Sequence, residues 1–250
     1  MINNATYIEN SAQKFWEEVD GAINYPCDME VAITFTLPLE VLGIDKLRVS
    51  DINAWAERAG ILHYVSGRDR RLHGCLLADK DNGVIFYDAD DPFDEQRVTL
   101  SHELAHFLVD YKAPRERAIR IFGPAIVPIL DGERPPTSVE RLHSVLSTVH
   151  LGSMSHIMER PDEGIPSTVV LDIEDRADRL ALELLAPASL LCERMQQSTA
   201  RGFKARLAFL TQYLFTVHGL PERIASSYAR HVLHQMGEPT FRDALFHRAG

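Results

Sequence analysis

Apolar positions along the chain repeat with two different periods, and the change from one to the other marks out its elements. Residues 1 to 30 are polar and mixed and read as an N-terminal extension with a loose start. Ser50-Asp51 followed by Ile52, Trp55, Ala56 and Ala59, with Gly60 as a stop, predicts a short amphipathic helix. Ile61 to Val65, Gly74 to Ala78 and Val84 to Tyr87 then read as strands, with a turn at Asp81-Asn82-Gly83. An Asn-Gly pair between two apolar runs signals a hairpin, so this region predicts a small, mainly antiparallel sheet.

After Asp90-Asp91-Pro92 the period lengthens. Val98, Leu100, Leu104, Phe107 and Leu108 form the stripe of a helix that Asp91 or Asp94 can cap, ending near Tyr111 because Pro114 blocks continuation. From Ala118 to Thr168 the pattern is broken by Pro124, Pro128, Pro135, Pro136, Pro161 and Pro166, with a helix expected from Ser138 to Val149. A further helix is expected from about Leu171 to Leu185, ahead of Pro187. The last fifty residues read as helical, Gly219-Leu220-Pro221 joining two helices.

Composition narrows the class. Of 250 residues, 45% are hydrophobic and 25% charged, as in a globular protein with a real core. The net charge of −10 disfavours a nucleic-acid surface, so no direct nucleic-acid binding is expected. Val31 to Ile44 and Ile121 to Leu130 are too short and interrupted to span a bilayer, so no membrane partner is expected. The start lacks a basic run followed by an apolar stretch, and Cys27, Cys75 and Cys192 form no CxxC pair. A cytoplasmic protein with free thiols is the expectation.

Residues 101 to 107 read Ser-His-Glu-Leu-Ala-His-Phe. His102 and His106 are four apart, so on a helix they project from one face and can bind one metal ion. Glu103 then lies beside the metal's open position, where its carboxylate can take a proton from water. This is the HExxH pattern of zinc peptidases, which predicts a zinc metalloendopeptidase with Glu103 as its catalytic base. Zinc is the expected metal, although a His2Glu set also accepts manganese or cobalt.

A catalytic zinc wants a third protein ligand. No histidine lies in residues 107 to 116, which removes the HExxHxxGxxH spacing. The remaining source is a glutamate on the helix before Pro187. Glu174 and Asp178 share a face there, so Glu174 can bind metal while Asp178 accepts from the free nitrogen of a ligand histidine. Glu183 competes, but it is nine residues from Glu174 and about half a turn out of phase, so the two cannot serve one site equally.

HELAH on one helix and Glu-x-x-Ala-Asp-x-Leu-Ala-x-Glu-Leu-Leu-x-Pro on another resemble the ImmA/IrrE metallopeptidase family. Gly83-Val-Ile-Phe-Tyr87 and Arg97-Val-Thr-Leu-Ser-His102 are similar to that family too. The resemblance covers roughly residues 35 to 235 and is sharp at 83–108 and 174–187. It implies His102, His106 and Glu174 as ligands, Glu103 as base and Asp178 behind a ligand. It also implies regulatory proteolysis, as in a stress response, with a DNA-binding helix-turn-helix repressor as the protein substrate. The stretch from Phe107 to Ile173 is longer than in compact members of the family. The expected fold is therefore α+β, with a small mainly antiparallel sheet packed on zinc-binding helices (zincin-like) and a helical C-terminal part. Its parts are residues 1–30, a metallopeptidase domain over 31–190 with an inserted segment at about 112–170, and a helical region over 191–250.

Peptide hydrolysis also needs a donor for the developing oxyanion. Tyr111, His143, His150 and His156 are candidates by position. An extended substrate could pair with an edge of the sheet around Gly74 to Tyr87. The competing function is a zinc-fold regulatory protein that sequesters its partner without cleaving it; the intact Glu103 favours the enzyme. Residues 207 to 234 also match a helix-turn-helix in length, but Pro221 to Leu233 offers only Arg223 and Arg230 as strong base readers.

Overall fold

The two apolar periods resolve into a mixed α+β chain. The computed structural model describes residues 4–19, 22–61, 63–141, 149–160 and 176–237. In chain order the elements begin α1 (Asn4–Glu18), α2 (Met29–Thr36), β1 (Leu39–Ile44), α3 (Val49–Ala59), β2 (Leu72–Asp79), β3 (Asn82–Asp88) and α4 (Phe93–His106). A π turn (Phe107–Lys112) leads into α5 (Ala113–Phe122), α6 (Val127–Leu130), α7 (Ser138–Arg141) and β4 (Met154–Glu159). The chain continues with α8 (Arg176–Leu185), α9 (Ala188–Gln196), α10 (Phe203–Thr216) and α11 (Glu222–Gln235). No helix among the described residues is long and apolar enough to cross a membrane.

The chain divides into two compact units, one gathering Glu17–Val19 and Asp28–Ile165, the other Met1–Trp16, Asp20–Cys27 and Pro166–Gly250. In the first, the strands lie in the order β1-β3-β2-β4. β1 pairs parallel with β3, while β2 pairs antiparallel with both β3 and β4. β2 is covered on both faces, by α4 on one and by the cluster around Leu47 and Ile52 on the other, which is why Leu72 and Cys75 to Ala78 form an apolar run rather than an alternation. One face of the sheet presents Cys75, Leu77, Val84 and Phe86 to a core shared with Leu47, Val49, Ile52 and Ala56. Helix α4 packs against β2, β3 and β4.

Several expectations are corrected here. The hairpin turns at Lys80-Asp81, both at positive φ (48° and 68°), with Asp79 paired to Asn82. Gly83 lies inside β3, where a Cβ would come within 2.8 Å of Leu39 Cδ2. His63 to Val65 do not form the expected strand: the backbone N–H and C=O of Val65 bond instead to the Asn53 side-chain amide at 2.9 and 3.1 Å. β2 and β3 are both interior, so residues 74 to 87 offer no free edge for a substrate strand. β4, within the segment read as an insertion, completes the sheet instead. Asp91 does not cap α4: Pro92 holds the cap position, and Asp91 bonds His73 and Arg160. The helix does not stop at Pro114 either. The π turn widens the chain there, so Pro114 falls in the first turn of α5, where its missing N–H costs nothing.

The second unit is helical. Residues read as a loose extension form α1, which buries Ile8, Ala12 and Phe15 on one stripe, and Trp16 Nε1 donates to Leu184 O at 3.1 Å. α8 buries every residue from Leu180 to Leu185, and α11 buries Ala225, Tyr228, Ala229, Val232 and Leu233. Most of the helix expected over 138–149 lies outside the described residues, as does the start of the one expected from Leu171.

Candidate metal centre

Helix α4 carries the motif, and its sequence suits both its start and its seat. Asp94 and Glu95 complement the N-terminal dipole, while Val98, Leu100, Leu104 and Ala105 are buried. The helix can lie this close to the sheet because β2 has a glycine beneath it. A Cβ on Gly74 would be 2.4 Å from Thr99 Cγ2 and 3.0 Å from Phe86 O. Close packing also encloses Glu103, which is fully buried with its Cγ 3.6 Å from that same point.

His102 and His106 face one another at the end of α4, with Nε2 atoms 3.2 Å apart and ring planes at 67°. Two nitrogens bound tetrahedrally to zinc at its usual bond lengths would be about 3.3 Å apart. The Nδ1–H of His106 donates to Asp110 Oδ2 at 2.7 Å, which leaves the Nε2 lone pair for a metal. Asp110 was not anticipated from the sequence. Its signal is the i+4 spacing from His106, on the helix face that carries both histidines.

Strand β4 brings in a third imidazole. His156 pairs with Leu76 across β2 and points to the side of the sheet on which α4 lies. Its ring lies flat on His106, centroids 3.5 Å apart and planes at 19°, and its Nδ1–H donates to Glu103 Oε2 at 2.9 Å. Burial pushes the Glu103 carboxyl up. The His156 hydrogen bond and the charges of all three histidines outweigh this, so it sits below the ordinary value and is ionised at neutral pH. Glu103 Oε1 is buried and has no hydrogen-bond partner among the described residues.

Ring nitrogens of His102, His106 and His156 all lie within 4.8 Å of one another, so these three residues could hold a metal ion. Ring orientation separates their roles. The planes of His102 and His106 cross, and their lone pairs can meet at one point. Stacked rings direct their lone pairs side by side, so His156 as placed serves Glu103 better than it serves an ion. His73, Asp91 and Glu95 form a second group of potential ligands among the described residues, but the Arg160 guanidinium already neutralises Asp91.

No family model, curated protein or solved structure matches this chain. The functional reading therefore rests on the residues themselves. Of the predicted site residues, the structure brings together His102, Glu103, His106 and His156. Tyr111 is elsewhere: its hydroxyl accepts from Asp81 N at 3.4 Å, under the hairpin turn, and burial raises its pKa. His150 bonds Ser153 O through Nε2 at 2.9 Å. Glu174 and His143 lie outside the described residues. Asp178 is buried on α8, in the helical unit. In that unit Glu183 Oε2 accepts from Ala188 N at 3.0 Å, at the start of α9, and from the Tyr228 hydroxyl at 3.3 Å. Both of those bonds are structural.

Proposed function

We propose that this chain is a metal-dependent endopeptidase in which His102, His106 and Glu174 hold zinc and Glu103 is the general base. The observation that carries the reading is the convergence of the two histidine Nε2 atoms at 3.2 Å beside a buried, ionised glutamate. The crossed imidazoles and the Asp110 carboxylate fit zinc, and the helix laid on a small sheet supports a zincin-like packing. When bound, zinc lowers the pKa of a coordinated water and polarises a peptide carbonyl. Glu103, held as a carboxylate, takes the proton of the attacking water and delivers it to the leaving amine. Its burial keeps bulk water from competing for that proton. The proposed substrate is a protein. The resemblance to ImmA/IrrE peptidases points to a helix-turn-helix repressor.

Metal content of the purified protein tests the reading. About one zinc per chain is expected in wild type and in Glu183→Ala, with loss in His102→Ala, His106→Ala and Glu174→Ala. Full zinc in Glu174→Ala would remove Glu174 from the ligand set. A wild type that takes up no zinc after reconstitution would overturn the metal reading and leave a partner-holding protein as the better account.

A further inference from the structure

Glu103 is a buried carboxylate with one oxygen held and the other unpartnered among the described residues. Leaving a charged acceptor unpaired in the interior is costly, so such an oxygen marks a place where a partner arrives. The held oxygen is gripped by a residue from another element, at an edge of the described sheet, far from the motif in sequence. Nothing in HExxH requires that contact. Without it, the carboxylate could rotate about its last bond and present either oxygen, or turn to the neighbouring imidazoles.

We propose that His156 is a positioning residue: its Nδ1–H fixes Glu103 Oε2, which leaves Oε1 as the oxygen that meets the attacking water. The inference rests on the metal reading above and assigns the base a partner outside the motif. The geometry for it is complete. β4 fixes the backbone of His156 against β2, and the stack on His106 fixes its ring. With Nδ1 donating, the ring is pre-oriented and loses little freedom when the site fills.

The test uses the full chain loaded with Co2+, whose visible spectrum reports coordination, and acetohydroxamate as a probe that chelates the metal while bonding the base. Wild type, His156→Ala and His156→Asn are compared; the asparagine amide can replace the lost Nδ1–H donor. All three should bind one Co2+ with similar spectra. Acetohydroxamate affinity should fall about tenfold in His156→Ala and recover in large part in His156→Asn. In a Glu103→Ala background, His156→Ala should change that affinity little, because the residue acts through Glu103. Equal loss in both backgrounds would overturn the proposal, as would unchanged affinity in His156→Ala. So would loss of Co2+ from His156→Ala together with retention in Glu174→Ala, which would make His156 the third ligand. A wild type that binds no Co2+ would instead overturn the metal reading itself.

Discussion

His106 Nδ1 and Asp110 Oδ2 lie 2.7 Å apart across the junction where α4 gives way to the π turn. A π turn is rare and widens the helix by one residue per turn. Here it carries Asp110, and it lets the chain pass Pro114 without ending the helical run. One local irregularity thus supports the outer partner of His106, a proposed metal ligand, and the continuation into α5.

Removing that partner should weaken the proposed metal site without emptying it. Asp110→Ala frees the ring orientation and tautomer of His106, and such losses typically reduce metal affinity 10–100-fold. Competition with a chromophoric chelator measures it. Affinity equal to wild type would show that Asp110 does not set the histidine.

Gly74→Ala should disturb the site from beneath. The added methyl meets Thr99 at 2.4 Å and the Phe86 carbonyl at 3.0 Å, so α4 must lift from the sheet. A cost of about 2 kcal/mol is expected from overpacking, seen as a lower urea midpoint. Adding Thr99→Ala should restore part of it, since Cγ2 is the nearer obstacle. No recovery would place the strain at the Phe86 carbonyl.

Acid should act on the sheet unit through Asp88. Burial raises this carboxyl, but Arg71 and Arg160, with the Lys46 and Asp90 amides, hold it below the ordinary aspartate value. A depressed acid contributes stability that is present above the unfolded pKa of 3.8 and is lost as pH falls through the lower folded value. Asp88→Asn should therefore lose about 2 kcal/mol at pH 7, a figure reduced because both arginines are partly exposed, and less near pH 3. Denaturant unfolding at a series of pH values reads this. A constant difference between the two proteins across the series would exclude Asp88 as the titrating group.

Glu183 should show the opposite sign in the helical unit. Burial raises its carboxyl above 4.5, so its contribution is full below that value and is lost as pH rises through the higher folded pKa. Glu183→Gln keeps an oxygen for Ala188 N and carries no charge. Its stability relative to wild type should increase from pH 4 to pH 8, while Glu183→Ala should cost about 1 kcal/mol by uncapping α9. A Gln variant that tracks wild type at every pH would contradict this.

Some of the outcome was legible because it is local. The α3 stripe from Ile52 to Ala59 with Gly60 at φ 71°, the α10–α11 junction at Gly219-Leu220-Pro221, and the spacing of His102, Glu103 and His106 all depend on neighbours within a turn or two. So did the existence of the hairpin, although the packing of Gly83 against Leu39 moved its turn by one residue.

What the chain by itself determined is the chemistry on offer: two imidazoles and a carboxylate on one helical face, because a helix of known pitch leaves them no other arrangement. What only the tertiary structure decided is which distant groups complete that face. β4 was hidden among prolines and polar residues, and His156 became the partner of Glu103 only when β4 paired with β2. Leu77, in the middle of the run from Gly74 to Tyr87 read as a possible edge, lies between Val84 and Ser155, so a proline there would break the sheet. Pairing across tens of residues depends on the burial of a whole face, and the spacing of residues along one strand does not encode it.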